Sequence, residues 1–198
     1  MTTPLPRRAA ILGAAASLTG SAPHVRLRTS LGDILIGLHL TRAPLSAGDF
    51  LKYVQAGAYD GGRFFRVVRP DNDRGHPKID VVQGAARQGA PQWAPVAHET
   101  TARTGLRHID GAVSLTRDAP GTGSGNEFFV CIGDQPGLDF GGTRNKDLQG
   151  FAVFGQVLAG MNVVKRIWQL PAAGKSDDSY TTGQILTEAV PILSAKKG

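Results

Sequence analysis

The sequence predicts a β-dominated domain built as a closed sheet capped by two helices. Three observations carry that expectation. Short alternating or β-branched runs recur along the chain, and apolar helical stripes occur only twice. The 26 glycines and 12 prolines among 198 residues supply turns between the runs. The repeating strand–helix–strand rhythm of a doubly wound parallel sheet is missing. With 41% hydrophobic and 19% charged residues the chain can bury a real core, which excludes wholesale disorder.

Residues 1–21 stand apart from this pattern. Met1 to Arg8 carries the pair Arg7-Arg8 and no acid, Ala9 to Leu18 is apolar and small, and Thr19 to Ser21 are small again. A basic start, a short apolar stretch and a small-residue end describe an export leader, and the arginine pair resembles a twin-arginine signal. Pro23 disfavours a cut after Ala22 and points to Ser21. The expected organisation is a leader over 1–21 and a folded domain over 22–198, placed in the periplasm or exported. The alternative is a basic N-terminus on a cytoplasmic protein.

The domain opens with Val25, Leu27 and Thr29 alternating against Arg26, Arg28 and Ser30, a half-buried strand. Ser30 to Asp33 form a turn with Gly32 free to take a positive φ, and Ile34, Ile36, Leu38 and Leu40 share one face of a second strand. Pro44 opens a helix in which Ala47, Phe50, Leu51 and Val54 form the buried stripe, and Gly57 ends it. Strand-like runs follow at 63–68, 79–82, 112–116, 128–132, 152–157 and 185–193. A second helix after Gly160 buries Met161, Val164, Ile167 and Trp168 and stops at Pro171 and Gly174. The segments 69–78, 88–108, 139–150 and 171–184 read as long loops.

Composition removes several function classes. No apolar run approaches the roughly 20 residues of a membrane span. Lone Cys131 allows no internal disulfide, and its aliphatic and aromatic strand suits a core residue better than a nucleophile. The five histidines form no helical i, i+4 pair with a third ligand, so no metal is expected. Gly121, Gly123 and Gly125 are followed by a strand, which leaves no helix N-terminus for a phosphate and no cofactor site. The net charge of +6 is dispersed and few aromatics accompany it, so no nucleic-acid partner is expected.

Arg66 is the unusual residue. It lies inside Arg63-Phe64-Phe65-Arg66-Val67-Val68, where alternation puts Phe64, Arg66 and Val68 on one face and Phe65 and Val67 on the other. Periodicity alone fits equally an edge arginine with its stem along the sheet and its head in water.

The blocks Phe64-Phe65-Arg66-Val67-Val68, Val82-Gln83-Gly84, Asn126-Glu127-Phe128-Phe129-Val130, Leu138-Asp139, Phe154-Gly155-Gln156-Val157 and Gly160-Met161-Asn162-Val163-Val164 occur in this order. Together they resemble the cyclophilin-type peptidyl-prolyl cis–trans isomerases, from about Val25 to about Leu193. The resemblance implies a closed eight-stranded antiparallel β-barrel with an α-helix closing each end. It also implies an external groove for an extended Xaa-Pro peptide, and an isomerase that assists folding of proline-containing, exported polypeptides without a cofactor. The expected unit is a monomer.

By resemblance Arg66 donates to the twisted amide nitrogen and Gln83 orients it. Phe129, Leu138 and the smaller Val81 form the proline pocket. The backbone at Arg117 bonds the residue before proline, and Phe65 and Phe151 complete the substrate contacts. Several positions depart from the family pattern. Asp80 stands where an aromatic is usual, Thr116 and Asp118 replace small alanines, Gly137 replaces a tryptophan, and Phe151 replaces a histidine. The alternative these departures leave is a catalytically weak proline-peptide binding or chaperone module on the same fold.

Overall fold

The computed structural model describes residues 23–198; the expected leader lies outside the described residues. Eight strands close into an antiparallel barrel in the order β1-β2-β7-β5-β6-β4-β3-β8. They are β1 (His24–Thr29), β2 (Gly32–Leu38), β3 (Arg63–Val68), β4 (Val81–Ala85), β5 (Ala112–Leu115), β6 (Glu127–Cys131), β7 (Ala152–Ala159) and β8 (Ile185–Lys197). Closure leaves no sheet edge unpaired. The β1–β2 turn is the expected one. Gly32 has φ +130°, and Thr29 Oγ1 accepts from Leu31 N at 3.1 Å.

The two longer helices are α1 (Pro44–Gln55) and α3 (Met161–Trp168). They cover opposite mouths of the barrel. Phe50 of α1 packs against Phe128 and Phe154, whose ring centroids lie 5.5 and 4.8 Å away. Phe64, at the start of β3, joins the same cluster through Phe128 at 5.7 Å. At the other end of β3, Trp168 of α3 donates its indole N–H to the Val68 carbonyl at 3.2 Å. Gly160 enters α3 at φ +93°, and a Cβ there would sit 2.3 Å from the Asp33 carbonyl oxygen, so only glycine fits.

The helical stripes differ in detail from expectation. In α1 the buried set includes Ser46, Asp49 and Tyr53 beside Ala47, Phe50 and Val54, while Leu51 is only partly buried. Polar residues can be buried there because loops reach the helix. Glu99 accepts from Ser46 N at 2.8 Å and Ser46 Oγ at 2.7 Å, capping an N-terminus whose own cap residue, Ala43, has no acceptor. Asp49 accepts from Gly125 N at 2.7 Å. In α3 Val163 is buried, whereas Met161 and Trp168 are partly exposed. The long loop 88–108 holds a one-turn helix, α2 (Thr101–Thr104), and Pro136–Leu138 form a 3₁₀ turn.

Strand limits differ from the patterns: β2 stops at Leu38, short of Leu40, β4 begins at Val81 rather than Ile79, and three strands, β4, β7 (to Ala159) and β8, run on further than expected. Gln83 to Ala85 belong to β4 because β3 and β6 pair with it on both sides. β8 extends to Lys197 and joins β1 to β3, closing the barrel.

A correction concerns β3. Its ladder to β4 shifts between Phe64 and Arg66, and its ladder to β8 jumps there from Val190 to Ile185. This bulge breaks the alternation. Phe64 therefore points into the aromatic core, fully buried, and does not share the face of Arg66 and Val68.

Candidate active site

The outer faces of β3, β4 and β6 form the floor of a groove of about 470 Å³. Register explains the arrangement. Gln83 is paired with Arg66 on one side and Phe129 on the other, so one row across three strands carries all three side chains. One step of period two along β4 brings Val81 to the same face, opposite Val68. Arg66, Val81, Gln83, Arg117, Phe129, Leu138 and Phe151 all line this groove. Phe65 does not line it. As the extra residue of the bulge it is displaced from the row that carries Arg66.

Arg66 is held on two edges. Its Nη1 donates to Gln83 Oε1 at 2.8 Å, and its Nε donates to Gln184 Oε1 at 2.9 Å. Burial lowers the guanidinium pKa, opposed by Tyr180 and Glu127, and an arginine so placed stays cationic. Gln83 Nε2 donates in turn to Glu127 Oε1, which fixes its amide with the oxygen toward Arg66.

The apolar half of the groove is also built from below. Phe129 is 5% exposed, stacks on His108 at 6.0 Å with the planes 12° apart, and meets Phe151 edge-on at 5.3 Å. His108 Nδ1 faces Asp139 Oδ1 at 2.8 Å, and Nε2 faces Ser114 Oγ at 3.1 Å. Burial pushes the His108 pKa down, outweighing the Asp139 carboxylate, so the neutral ring donates through Nδ1 and accepts from Ser114. Leu138 is fully buried at the pocket base.

The side chain of Arg117 is also bonded into the site. Its Nη1 and Nη2 donate to the two Asp147 oxygens at 2.8 and 2.9 Å, and Nε donates to the Gly150 carbonyl at 2.7 Å. The Arg117 fork, helped by the Gln149 N–H, brings the Asp147 pKa down to about 2. The guanidinium also lies 5.2 Å from the Phe151 ring centroid. Arg117 thus ties the end of β5 to loop 139–150 and fixes Phe151 over the pocket.

The departures from the family pattern find physical reasons. Ile79 and Val81 line the groove, while Asp80 between them does not, as alternation requires. Ile79, one step before Asp80, is thus the large apolar residue on this side of the groove, two positions before Val81. Asp80 Oδ1 is buried without a hydrogen-bond partner, and burial raises the pKa of its carboxyl. A Cβ on Gly137 would meet Pro77 Cγ at 2.4 Å, so the 69–78 segment excludes a side chain there. Thr116 and Asp118 line the groove and make its far wall polar.

A third wall was not visible in the sequence. Arg144 reaches Asp73 through Nη1 at 2.6 Å and Nη2 at 2.8 Å, the Pro77 carbonyl at 2.8 Å and the Tyr180 hydroxyl at 2.6 Å. Asp73 also accepts from Gly75 N and Ile79 N, both at 2.9 Å. Burial alone would raise its pKa, but these bonds hold it lowered. The network joins loops 69–78, 139–150 and 171–184 beside Arg66.

The structure is thus a closed antiparallel barrel with an external groove in which a caged arginine lies beside an apolar pocket. Residues 24–196 match the family model of the cyclophilin type peptidyl-prolyl cis-trans isomerases. The chain belongs to that family. It is 35% identical over 153 residues to peptidyl-prolyl cis-trans isomerase A of Dickeya dadantii, covering 76% of this chain and 73% of the relative. It is 30% identical over 150 residues to a peptidyl-prolyl cis-trans isomerase of Acinetobacter baylyi, covering 75% and 73%. The fold is shared with a cyclophilin type peptidyl-prolyl cis-trans isomerase of Cryptosporidium parvum crystallised in the presence of the dipeptide Ala-Pro. That match has TM-score 0.65 and 17% identity, and covers 87% of this chain and 96% of the other. No helix of the described residues is long and apolar enough to cross a membrane.

Proposed function

We propose that this groove binds an extended peptide at an Xaa-Pro bond and accelerates its cis–trans rotation. The carrying observation is the register row that sets the guanidinium of Arg66 beside the Phe129 pocket, with Gln83 between them. Rotation about a peptide bond faces a barrier of ~18–20 kcal/mol. At the twisted transition state the proline nitrogen loses conjugation and becomes an acceptor, which a fixed cationic donor stabilises more than either planar ground state. Phe129, Ile79, Val81 and Leu138 provide the apolar seat for the proline ring, and the edge-on Phe151 closes its side. The caged guanidinium needs no reorganisation as the bond twists.

The test is cis–trans exchange of a short Xaa-Pro peptide, followed by NMR without a coupling protease, with the full chain and its Arg66→Ala variant. Acceleration by the parent and its loss in the variant support the reading; no acceleration by a folded parent overturns it and leaves a binding module.

The basic, apolar and small-residue sequence of 1–21 supports export, which would make proteins outside the cytoplasm the clients. Fractionation of the producing cell with N-terminal sequencing tests this. A mature chain beginning near Ala22 outside the cytoplasm is expected, and an uncut chain confined to the cytoplasm refutes it.

A further inference from the structure

Gln83 accounts for one edge of Arg66 only. Gln184 Oε1 accepts from both Nε, at 2.9 Å, and Nη2, at 2.5 Å. Gln184 is fully buried at the end of loop 171–184, next to Ile185, the ladder partner of Arg66 in β8. Its amide cannot flip, because Nε2 donates to the Asn72 carbonyl at 2.9 Å. Its backbone carbonyl accepts from Val67 N at 2.9 Å, so one residue holds both the side chain of Arg66 and the strand just beyond it. Asn72 braces the assembly in turn, donating to the Val67 and Gly183 carbonyls at 3.3 and 3.0 Å.

A guanidinium has five N–H donors. Three are taken by Gln184 and Gln83, which leaves one on each terminal nitrogen. Both acceptors are neutral amides, so the charge of Arg66 is held without a carboxylate bonded to it. A carboxylate would form a bidentate ion pair and draw the positive charge away from the groove.

We infer that Gln184 is the positioning residue of Arg66: it locks the Nε/Nη2 edge so that the two remaining donors stay in the groove with full charge. This rests on the isomerase reading proposed above. It makes Gln184 part of the catalytic apparatus without touching substrate.

The test compares the full chain with Gln184→Met and Gln184→Glu. Exchange rates are measured over a range of Xaa-Pro peptide concentrations, and the Arg66 Nε–H resonance is followed by ¹⁵N NMR. Gln184→Met keeps the volume and removes the acceptor; kcat should fall roughly 10- to 100-fold, as expected for a misplaced catalytic group, with KM nearly unchanged. Gln184→Glu should restore the shifted, slowly exchanging Nε–H signal yet leave kcat low, because the anion offsets the charge. A merely structural role would lower the melting temperature of either variant and leave kcat, measured well below melting, at the parent value; that result overturns the inference. Should Gln184→Met fail to fold, parental kcat in a folded Gln184→Glu overturns it equally. An inactive parent instead refutes the isomerase reading itself.

Discussion

Replacing Arg66 by alanine tests the centre of the mechanism. The two donors left after Gln83 and Gln184 are satisfied are the ones available to a peptide. A hydrogen bond from a charged donor is worth about 1.5–3 kcal/mol. The bond to the proline nitrogen exists only in the twisted state, so its whole value enters the barrier, a factor of roughly 10–150. The second donor, on the substrate carbonyl, adds the smaller gain made between ground and transition states. Together they predict a fall in kcat/KM of roughly 10²–10³. The fold should survive, because the vacated space opens onto the groove and water can reach both glutamine oxygens. Arg66→Lys keeps the charge on one nitrogen with three donors, too few for both glutamines, the proline nitrogen and the substrate carbonyl together, so it should recover only part of the loss. NMR exchange spectroscopy on a short Xaa-Pro peptide, with circular dichroism on each variant, measures both effects. An Arg66→Ala protein that is folded and as fast as the parent would refute the donor mechanism.

Three further outcomes are expected. Phe128→Ala should cost about 3–5 kcal/mol in denaturant unfolding, because its fully buried ring contacts Phe50, Tyr59 and Phe64, whereas Phe129→Ala should mainly weaken peptide binding; the reverse ranking would invert their facing. His108 titrates below its unfolded value of about 6.5, so stability is complete above that pH and declines as pH falls below it, by at most about 1.4 kcal/mol per pH unit. Melting temperatures between pH 7.5 and 5.5 should show that slope and His108→Gln should flatten it; an equal slope in the variant rejects the assignment. Arg144→Met leaves the buried Asp73 carboxylate without its cation and should cost about 3–5 kcal/mol, while the Arg144→Met/Asp73→Asn pair should recover part of it; strict additivity in a double-mutant cycle would show that the bridge has no net coupling.

Much of the barrel was legible because its strands alternate and its turns are glycine-rich, as at Gly32 and Gly57. What failed locally was alternation at Phe64 and Phe65, where a bulge adds one residue and turns Phe64 inward. Nothing in a run of Phe-Phe-Arg signals that event, since either phenylalanine suits either face. The site residues of the row across β3, β4 and β6, Arg66, Gln83 and Phe129, were placed by the family resemblance and brought together by register. Ile79 and Glu127 were in principle readable, each two positions from an expected groove residue. Gln184 and the Arg144–Asp73 pair were not, because they lie in loops whose positions depend on contacts between segments far apart in sequence.

The seam of the barrel runs between its first strand and its last. β1 pairs with β2, its neighbour in sequence, but its other neighbour, β8, is the last strand of the described residues. Until β8 is in place β1 and β3 are both open edges, and Arg66 lacks the glutamine that precedes β8. A chain stalled before Gln184 should therefore neither close nor catalyse, whatever the state of its other strands. Such long-range pairing is slow to form and leaves the edges exposed meanwhile. The barrel and the cage of Arg66 thus wait on the same segment, the one that carries Gln184 and β8.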